Sequence, residues 1–170
     1  MADGEAHHDW LIRPGQDSDG GGIIALIRAC WSNYPGITMD VDREMPELRA
    51  LGSYYVGQGG QLWTAEAGGK VVGMIAVRPT DPTSWEICRV YVDPSLHGFG
   101  LGHALLDTAE GHAIPAGAER LVLWSDTRFE RAHRFYEKRG YVRHGSLRVL
   151  NDISNSVEFG YVRAVGGGTG

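Results

Sequence analysis

The sequence is poor in cysteine, in excess positive charge and in long apolar runs. Its two cysteines, Cys30 and Cys88, have no C-x-x-C spacing. That excludes a disulfide framework or thiolate metal knuckle and leaves two small apolar side chains suited to a reducing compartment. Sixteen Lys and Arg stand against 21 Asp and Glu, a formal charge of -5, so the broad basic field of a nonspecific nucleic-acid binder is missing. No run approaches the roughly 18 apolar residues of a membrane span, and no basic-apolar leader with a cleavage site opens the chain. The expectation is a cytoplasmic protein with no nucleic-acid or membrane partner. An anionic ligand would have to be held by local amides and a few arginines. His7, His8 and Asp9 have no later H-x-x-H partner, so they read as a solvated terminus and no metal is expected.

What remains is an ordinary globular composition, 42% hydrophobic and 22% charged over 170 residues, enough for one domain with a sizeable core. Polar and glycine-rich ends, 1–9 and 165–170, are expected to fray, leaving a domain over 10–164. Residues 10–13 read as a short strand. Ile23, Ile27, Cys30 and Tyr34 recur at helical spacing until Pro35 and Gly36, and a second helix starts near Pro46 and runs through Leu48, Leu51 and Tyr55. Between them Asp40, Asp42 and Glu44 form either a solvated acidic loop or a rim that attracts a cationic amine. Strands over 61–67 and 70–77 are joined by Gly68 and Gly69, a hairpin signal. A strand over 120–124 follows a helix that ends before Pro115. Thr127 and Glu130 have capping-box spacing, predicting a helix from there to Gly140. Residues 141–148 and 157–162 close the chain as two strands. No repeat is present, and the order predicts an α/β domain with a mixed sheet.

The chain is organised around residues 85–109. Glu86-Ile87-Cys88-Arg89-Val90-Tyr91-Val92 reads as a buried strand stopped by Pro94, and from Gly102 the residues Ala104, Leu105, Thr108 and Ala109 repeat as a helix. Between them lies His97-Gly98-Phe99-Gly100-Leu101-Gly102. Alternate glycines let main-chain N–H groups converge at a helix N-terminus, where unpaired donors and the positive dipole end suit a phosphate or pyrophosphate. A dinucleotide fingerprint is excluded because its third glycine position falls on His103.

This segment resembles motif A of the GNAT superfamily of N-acetyltransferases, with His97 where Arg or Gln is usual. Ala132-His133-Arg134-Phe135-Tyr136-Glu137-Lys138-Arg139-Gly140-Tyr141 resembles the superfamily's motif B. The resemblance implies a single-domain GNAT fold, with a mixed, mostly antiparallel seven-stranded sheet flanked by about four helices. It also implies acetyl-CoA as co-substrate. The backbone of Val90, Tyr91 and Val92 would pair with pantetheine. His97, Gly98, Phe99, Gly100, Leu101, Gly102 and His103 would cradle the pyrophosphate, and Tyr136 would lie near the thioester sulfur. Family members often pair as homodimers. The family's coenzyme-contacting Asn is replaced by Phe129, so that hydrogen bond is assigned to no side chain.

The chemistry needs a base, because an alkylammonium has a pKa near ~10.4. Glu86 is the candidate. Strict alternation puts it on one face with Cys88, Val90 and Val92, an apolar setting that would raise its pKa; the competing reading is a Glu paired with an Arg. A main-chain N–H near Val92 would stabilise the oxyanion if the strand parts from its neighbour. Tyr136 would protonate the departing thiolate, against a competing reading as a core aromatic. His103, His112, His133 and His144 read as surface or structural residues, and Arg128, Arg131 and Arg134 as a wet helix face rather than phosphate ligands. The reading is direct acetyl transfer to the primary amine of a small molecule. A protein N-terminus or lysine as acceptor, or a noncatalytic acyl-CoA-binding module, are the alternatives.

Overall fold

The computed structural model describes residues 9–166; the ends expected to fray over 1–8, with His7 and His8, and over 167–170 lie outside the described residues. Strands β1 (Leu11–Pro14), β2 (Gln61–Ala67), β3 (Lys70–Pro79), β4 (Ser84–Val92), β5 (Arg120–Asp126), β6 (Val142–Arg143), β7 (Arg148–Val149) and β8 (Val157–Ala164) form one eight-stranded sheet in the order β1-β2-β3-β4-β5-β8-β6, with β7 also on β8. Among the described residues only β4 and β5 pair in parallel. The helices are α1 (Gly20–Trp31), α2 (Val41–Glu44), α3 (Leu51–Val56), α4 (Leu101–Ala113) and α5 (Glu130–Lys138).

The strand count exceeds the expected seven because the run over 141–148 breaks at Gly145, whose φ of 76° interrupts extended backbone. The fifth helix is the single turn α2 in the acidic linker, capped by Asp40, whose side chain accepts from the Arg43 N–H. The capping box expected at Thr127 does not form. Its N–H donates to the Val157 carbonyl, Asp126 captures the Arg128 N–H, and α5 starts at Glu130 behind an N-cap Phe129 with no side-chain cap.

Both sheet faces are covered. Ile23, Leu26, Ile27, Leu48, Leu51 and Tyr55 pack on one face against Leu62, Met74 and Ala76, while Leu101, Leu105, Leu106 and Ala109 of α4 pack on the other against Ile75, Ile87, Leu121 and Leu123. A Cβ on Gly73 would stand 3.0 Å from Leu105 and 3.1 Å from Leu101, so a bare backbone at that point lets α4 press against β3.

A β-bulge in β4 positions the site. The β3–β4 register passes from Met74↔Tyr91 to Ala76↔Cys88, so Arg89 and Val90 together oppose Ile75, and Arg89 has a φ of 52°. One extra residue shifts the alternation. Trp85, Ile87, Val90 and Val92 belong to the α4 face, and Cys88 and Tyr91 to the α1 face. Strict alternation, which grouped Glu86 with Val90 and Val92, is therefore wrong beyond Cys88. The parallel ladder with β5 ends at Ile87↔Leu123, where the bulge begins, whereas β5 stays paired to β8 as far as Asp126↔Glu158. Beyond that point β4 and β5 part.

Candidate active site

Two cavities meet in the gap between the parted strands. One, about 630 Å³, runs along β4 to the head of α4 and is lined by Val90, Tyr91, Val92, His97, Gly98, Gly100, Leu101, Gly102 and His103. The other, about 930 Å³, is lined by Glu86, Cys88 and Arg89 of β4, Trp124 to Asp126 of β5, the α1–α2 linker and residues 150–154. Trp31, Val90, Tyr91, Phe129, Ala132 and Tyr136 line both.

The smaller cavity is built of main chain. Asp93 shapes the turn out of β4 by accepting from the Ser95 N–H at 3.0 Å and its hydroxyl at 2.7 Å. Gly98 and Gly100 have φ of 86° and 90°, with no atom within 4 Å of where a Cβ would stand. Open space therefore lies above the first turn of α4, whose leading N–H groups have no intrahelical partner. Gly102 serves a different purpose: a Cβ there would meet the Phe135 ring at 3.4 Å, so it packs α4 against α5. Phe99 is half exposed, its side chain outside the cavity wall. Burial, and then the Arg131 cation, push the His97 imidazole below its ordinary pKa, so it is neutral near pH 7. Arg131, Arg134 and Lys138 of α5 also line this cavity. Arg131 and Arg134 are exposed, as the expected wet face requires, whereas Arg128 is half-buried against Asp126.

The larger cavity is built of side-chain pairs. Glu86 is buried and faces Arg78 across the β3–β4 ladder. Arg78 Nε and Nη2 both donate to Glu86 Oε2, at 3.0 and 2.8 Å, and Oε1 takes no hydrogen bond among the described residues. The expected apolar setting is corrected: the bulge turns Val90 and Val92 away, and a guanidinium lies beside the carboxylate. Arg89 donates to Glu47 at 2.6 Å and lies 5.9 Å from the Tyr54 and Tyr55 ring centroids, anchoring the bulge. Arg148 donates to Glu158 at 2.6 and 2.9 Å and stacks 4.4 Å over Trp124.

Two segments strap this cavity. Thr38 N–H donates to Ser154 Oγ at 2.8 Å, Ser154 Oγ donates back to the Thr38 carbonyl at 3.2 Å, and Ile153 N–H donates to Glu44 Oε2 at 2.9 Å. Arg128 ties the strap to β5 by donating to both Asp126 oxygens at 2.8 Å and to Ser154 O and Ser156 Oγ. Burial raises the Asp126 carboxyl, but its hydrogen bonds from Arg128 outweigh that and hold it below the usual range. Within the acidic linker, Glu44 lines the cavity, while Asp40 caps α2 and Asp42 pairs with Arg49.

Tyr136 stands at the junction. Its ring packs against Phe135, Tyr141 and Tyr161, with centroids 5.5, 6.1 and 6.2 Å away, so it is a core aromatic as well as a wall of both cavities. Burial pushes its phenol well above the ordinary value, and it keeps its proton across the assay range. Burial also drives the Cys30 and Cys88 thiols up to about 12.

A model described as the acetyltransferase (GNAT) family matches residues 23–141. The chain belongs to that family. It is 32% identical over 85 residues to an uncharacterised N-acetyltransferase of Mycobacterium bovis, covering 50% of this chain and 54% of the relative. It is 38% identical over 78 residues to the aminoalkylphosphonate N-acetyltransferase of Salmonella typhimurium, covering 43% and 51%. The mouse protein N-acetyltransferase 8 is 30% identical over 134 residues, 73% of this chain and 57% of that one. The chain spans about half the length of these curated relatives. Acetyltransferase structures from Streptococcus agalactiae and Staphylococcus aureus superpose with TM-scores of 0.79 at 21% and 22% identity, each over 92% of this chain and 98% and 99% of theirs. At that identity they show the GNAT fold alone.

Within this GNAT domain the scattered histidines hold structure. His133 Nε2 lies 2.9 Å from the Asp126 carbonyl, His112 packs between Trp63 and Trp85, and His103 Nδ1 meets Arg139 at 3.2 Å. Sequence reasoning overlooked Arg78, Asp126 and residues 150–156 as parts of the site. Arg78 was detectable only through the turn over 80–83, which joins β3 to β4 and sets the register that brings it opposite Glu86. For the strap there was no local signal, because its partners lie 109 to 116 residues apart.

Proposed function

We propose that this chain is an N-acetyltransferase that moves the acetyl group of acetyl-CoA directly to a small primary amine. The observation that carries the proposal is the meeting of the two cavities at Tyr136. A backbone-built, phosphate-ready groove reaches one side of that residue and a carboxylate-lined chamber the other. The smaller cavity fits the coenzyme: open space above Gly98 and Gly100, amides at the head of α4, and the cations of Arg131, Arg134 and Lys138 suit a polyanion. When bound there, acetyl-CoA supplies the acetyl thioester. The main chain over 90–92, freed from β5, would pair with its pantetheine arm and offer an N–H to the carbonyl oxygen. Glu86 Oε1 would receive the proton that the ammonium loses, directly or through water. Tyr136 Oη would hold a proton for the departing sulfur. With both cysteine thiols pushed up to about 12, neither offers a thiolate at neutral pH, which favours transfer without a covalent enzyme intermediate.

The strap supports a small acceptor over an extended peptide, because bonds from Thr38 and Glu44 to residues 153–154 cross the path a peptide would follow. Glu86 retains an unengaged oxygen for the amine, while Arg78 commits all three nitrogens to Glu86 and Gln58. Arg43 also lines the chamber and one relative is named for aminoalkylphosphonates, so acceptors with and without an added anion are to be compared. Release of free thiol from acetyl-CoA with a panel of amines, aminoalkylphosphonates and peptides tests the proposal. Amine-dependent release with peptides inert agrees with it. Coenzyme binding without turnover on any acceptor would indicate the noncatalytic module instead.

A further inference from the structure

We infer that Arg78 is the positioning residue for Glu86, gripping one carboxylate oxygen so that the other alone is presented to the acceptor, with Gln58 locking the guanidinium in place. The inference rests on Glu86 being the proton acceptor proposed above. Two donors from one planar guanidinium, at 3.0 and 2.8 Å, converge on Glu86 Oε2, which holds that oxygen more firmly than a single contact could. The third nitrogen, Nη1, donates to Gln58 Oε1 at 2.7 Å, and Gln58 Nε2 donates to the Tyr54 carbonyl at 3.1 Å. Each end of the Gln58 amide is thereby engaged. The turn carrying Gln58 is held against β3 by Gly60, where a Cβ would stand 2.0 Å from the Val77 carbonyl oxygen. The relay runs from the Tyr54 main chain through Gln58 and Arg78 to Glu86. Glu86 lines the chamber that reaches Tyr136.

Arg78 is the cation bonded to Glu86; Arg89, on the same strand, is held by Glu47, and the β5 register partner of Glu86 is the uncharged Val122.

The test compares Glu86→Gln, Arg78→Gln, Arg78→Lys and Gln58→Ala by steady-state kinetics that separate kcat from KM, with circular dichroism to confirm folding. Arg78→Gln is expected to lower kcat about 10- to 100-fold with KM for acetyl-CoA unchanged. Arg78→Lys restores the charge but not the fork, so it should leave kcat low, again with KM for acetyl-CoA unchanged. Gln58→Ala, which leaves the ion pair in place, should lose about 3- to 10-fold, in keeping with a support residue one step removed, and carries the test if Arg78→Gln does not fold. Loss of activity in Glu86→Gln together with wild-type kcat in the Arg78 and Gln58 variants would overturn the inference alone. Full activity in Glu86→Gln would overturn the assignment of Glu86 and the inference with it.

Discussion

The two cavities are made in different ways. The groove on the α4 side is a main-chain device: a strand edge, two left-handed glycines and a helix N-terminus, with three basic side chains at the margin. The chamber on the other side is assembled from side chains of segments far apart in sequence, and six of its charges form the pairs Arg78–Glu86, Arg89–Glu47 and Arg148–Glu158. A backbone groove serves a ligand that does not change, while a chamber of paired side chains can be retuned without disturbing the groove. Substitutions should divide accordingly, into those that move the coenzyme constants and those that move the acceptor constants, with Tyr136 belonging to neither group.

The largest effect is expected at the junction. Tyr136→Phe should lower kcat about 100-fold, at the lower end of what a positioned proton donor contributes, with both KM values held. A shift confined to one KM would assign the phenol to one cavity and break the symmetry. Next comes Gly100→Val. It places a β-branched residue at a φ of 90°, at a strain of about 1–3 kcal/mol, and puts a side chain where the diphosphate would lie. Calorimetry should show coenzyme affinity falling at least tenfold, while the apparent KM for the amine stays put.

Loosening the strap should have a smaller effect, confined to the acceptor. Ser154→Ala removes both bonds to Thr38, each of about 1 kcal/mol. It is expected to raise the amine KM a few-fold and to admit short peptides that the parent refuses. Unchanged selectivity would show that the chamber is not closed by this contact.

The smallest effect concerns stability. The native Asp126 carboxyl is held below its ordinary 3.8 by Arg128 against the opposing pull of burial. A depressed carboxylate contributes stability above its unfolded pKa and loses it as pH falls through the lower native value. Denaturant titrations should therefore show stability falling as pH drops below roughly 4, and Asp126→Asn should lessen that fall by its own share, since Asp17, Asp19, Asp81 and Asp93 are depressed as well.

The same contrast explains what could be read in advance. Gly68 and Gly69 announced their hairpin, and Gly98, Gly100 and the apolar repeat after them announced a strand, turn and helix, because local backbone conformation restricts residue choice. The bulge gave no such notice. It lies on Arg89, not on a glycine, and is stabilised by Glu47 and two tyrosines from another segment, so alternation misplaced Val90 and Val92. Thr127 and Glu130 had capping-box spacing, but Asp126 had already taken the Arg128 N–H. The chamber was opaque because its pairs exist only once the register and crossovers are set.

A crystal structure with bound coenzyme A tests the central claim most directly. The account predicts the diphosphate over Gly98 to Gly102, the pantetheine arm along Val90 to Val92, and the sulfur in the gap beside Tyr136, facing Glu86. A coenzyme whose diphosphate lies away from Gly100, or whose sulfur ends outside the junction of the two cavities, would contradict it.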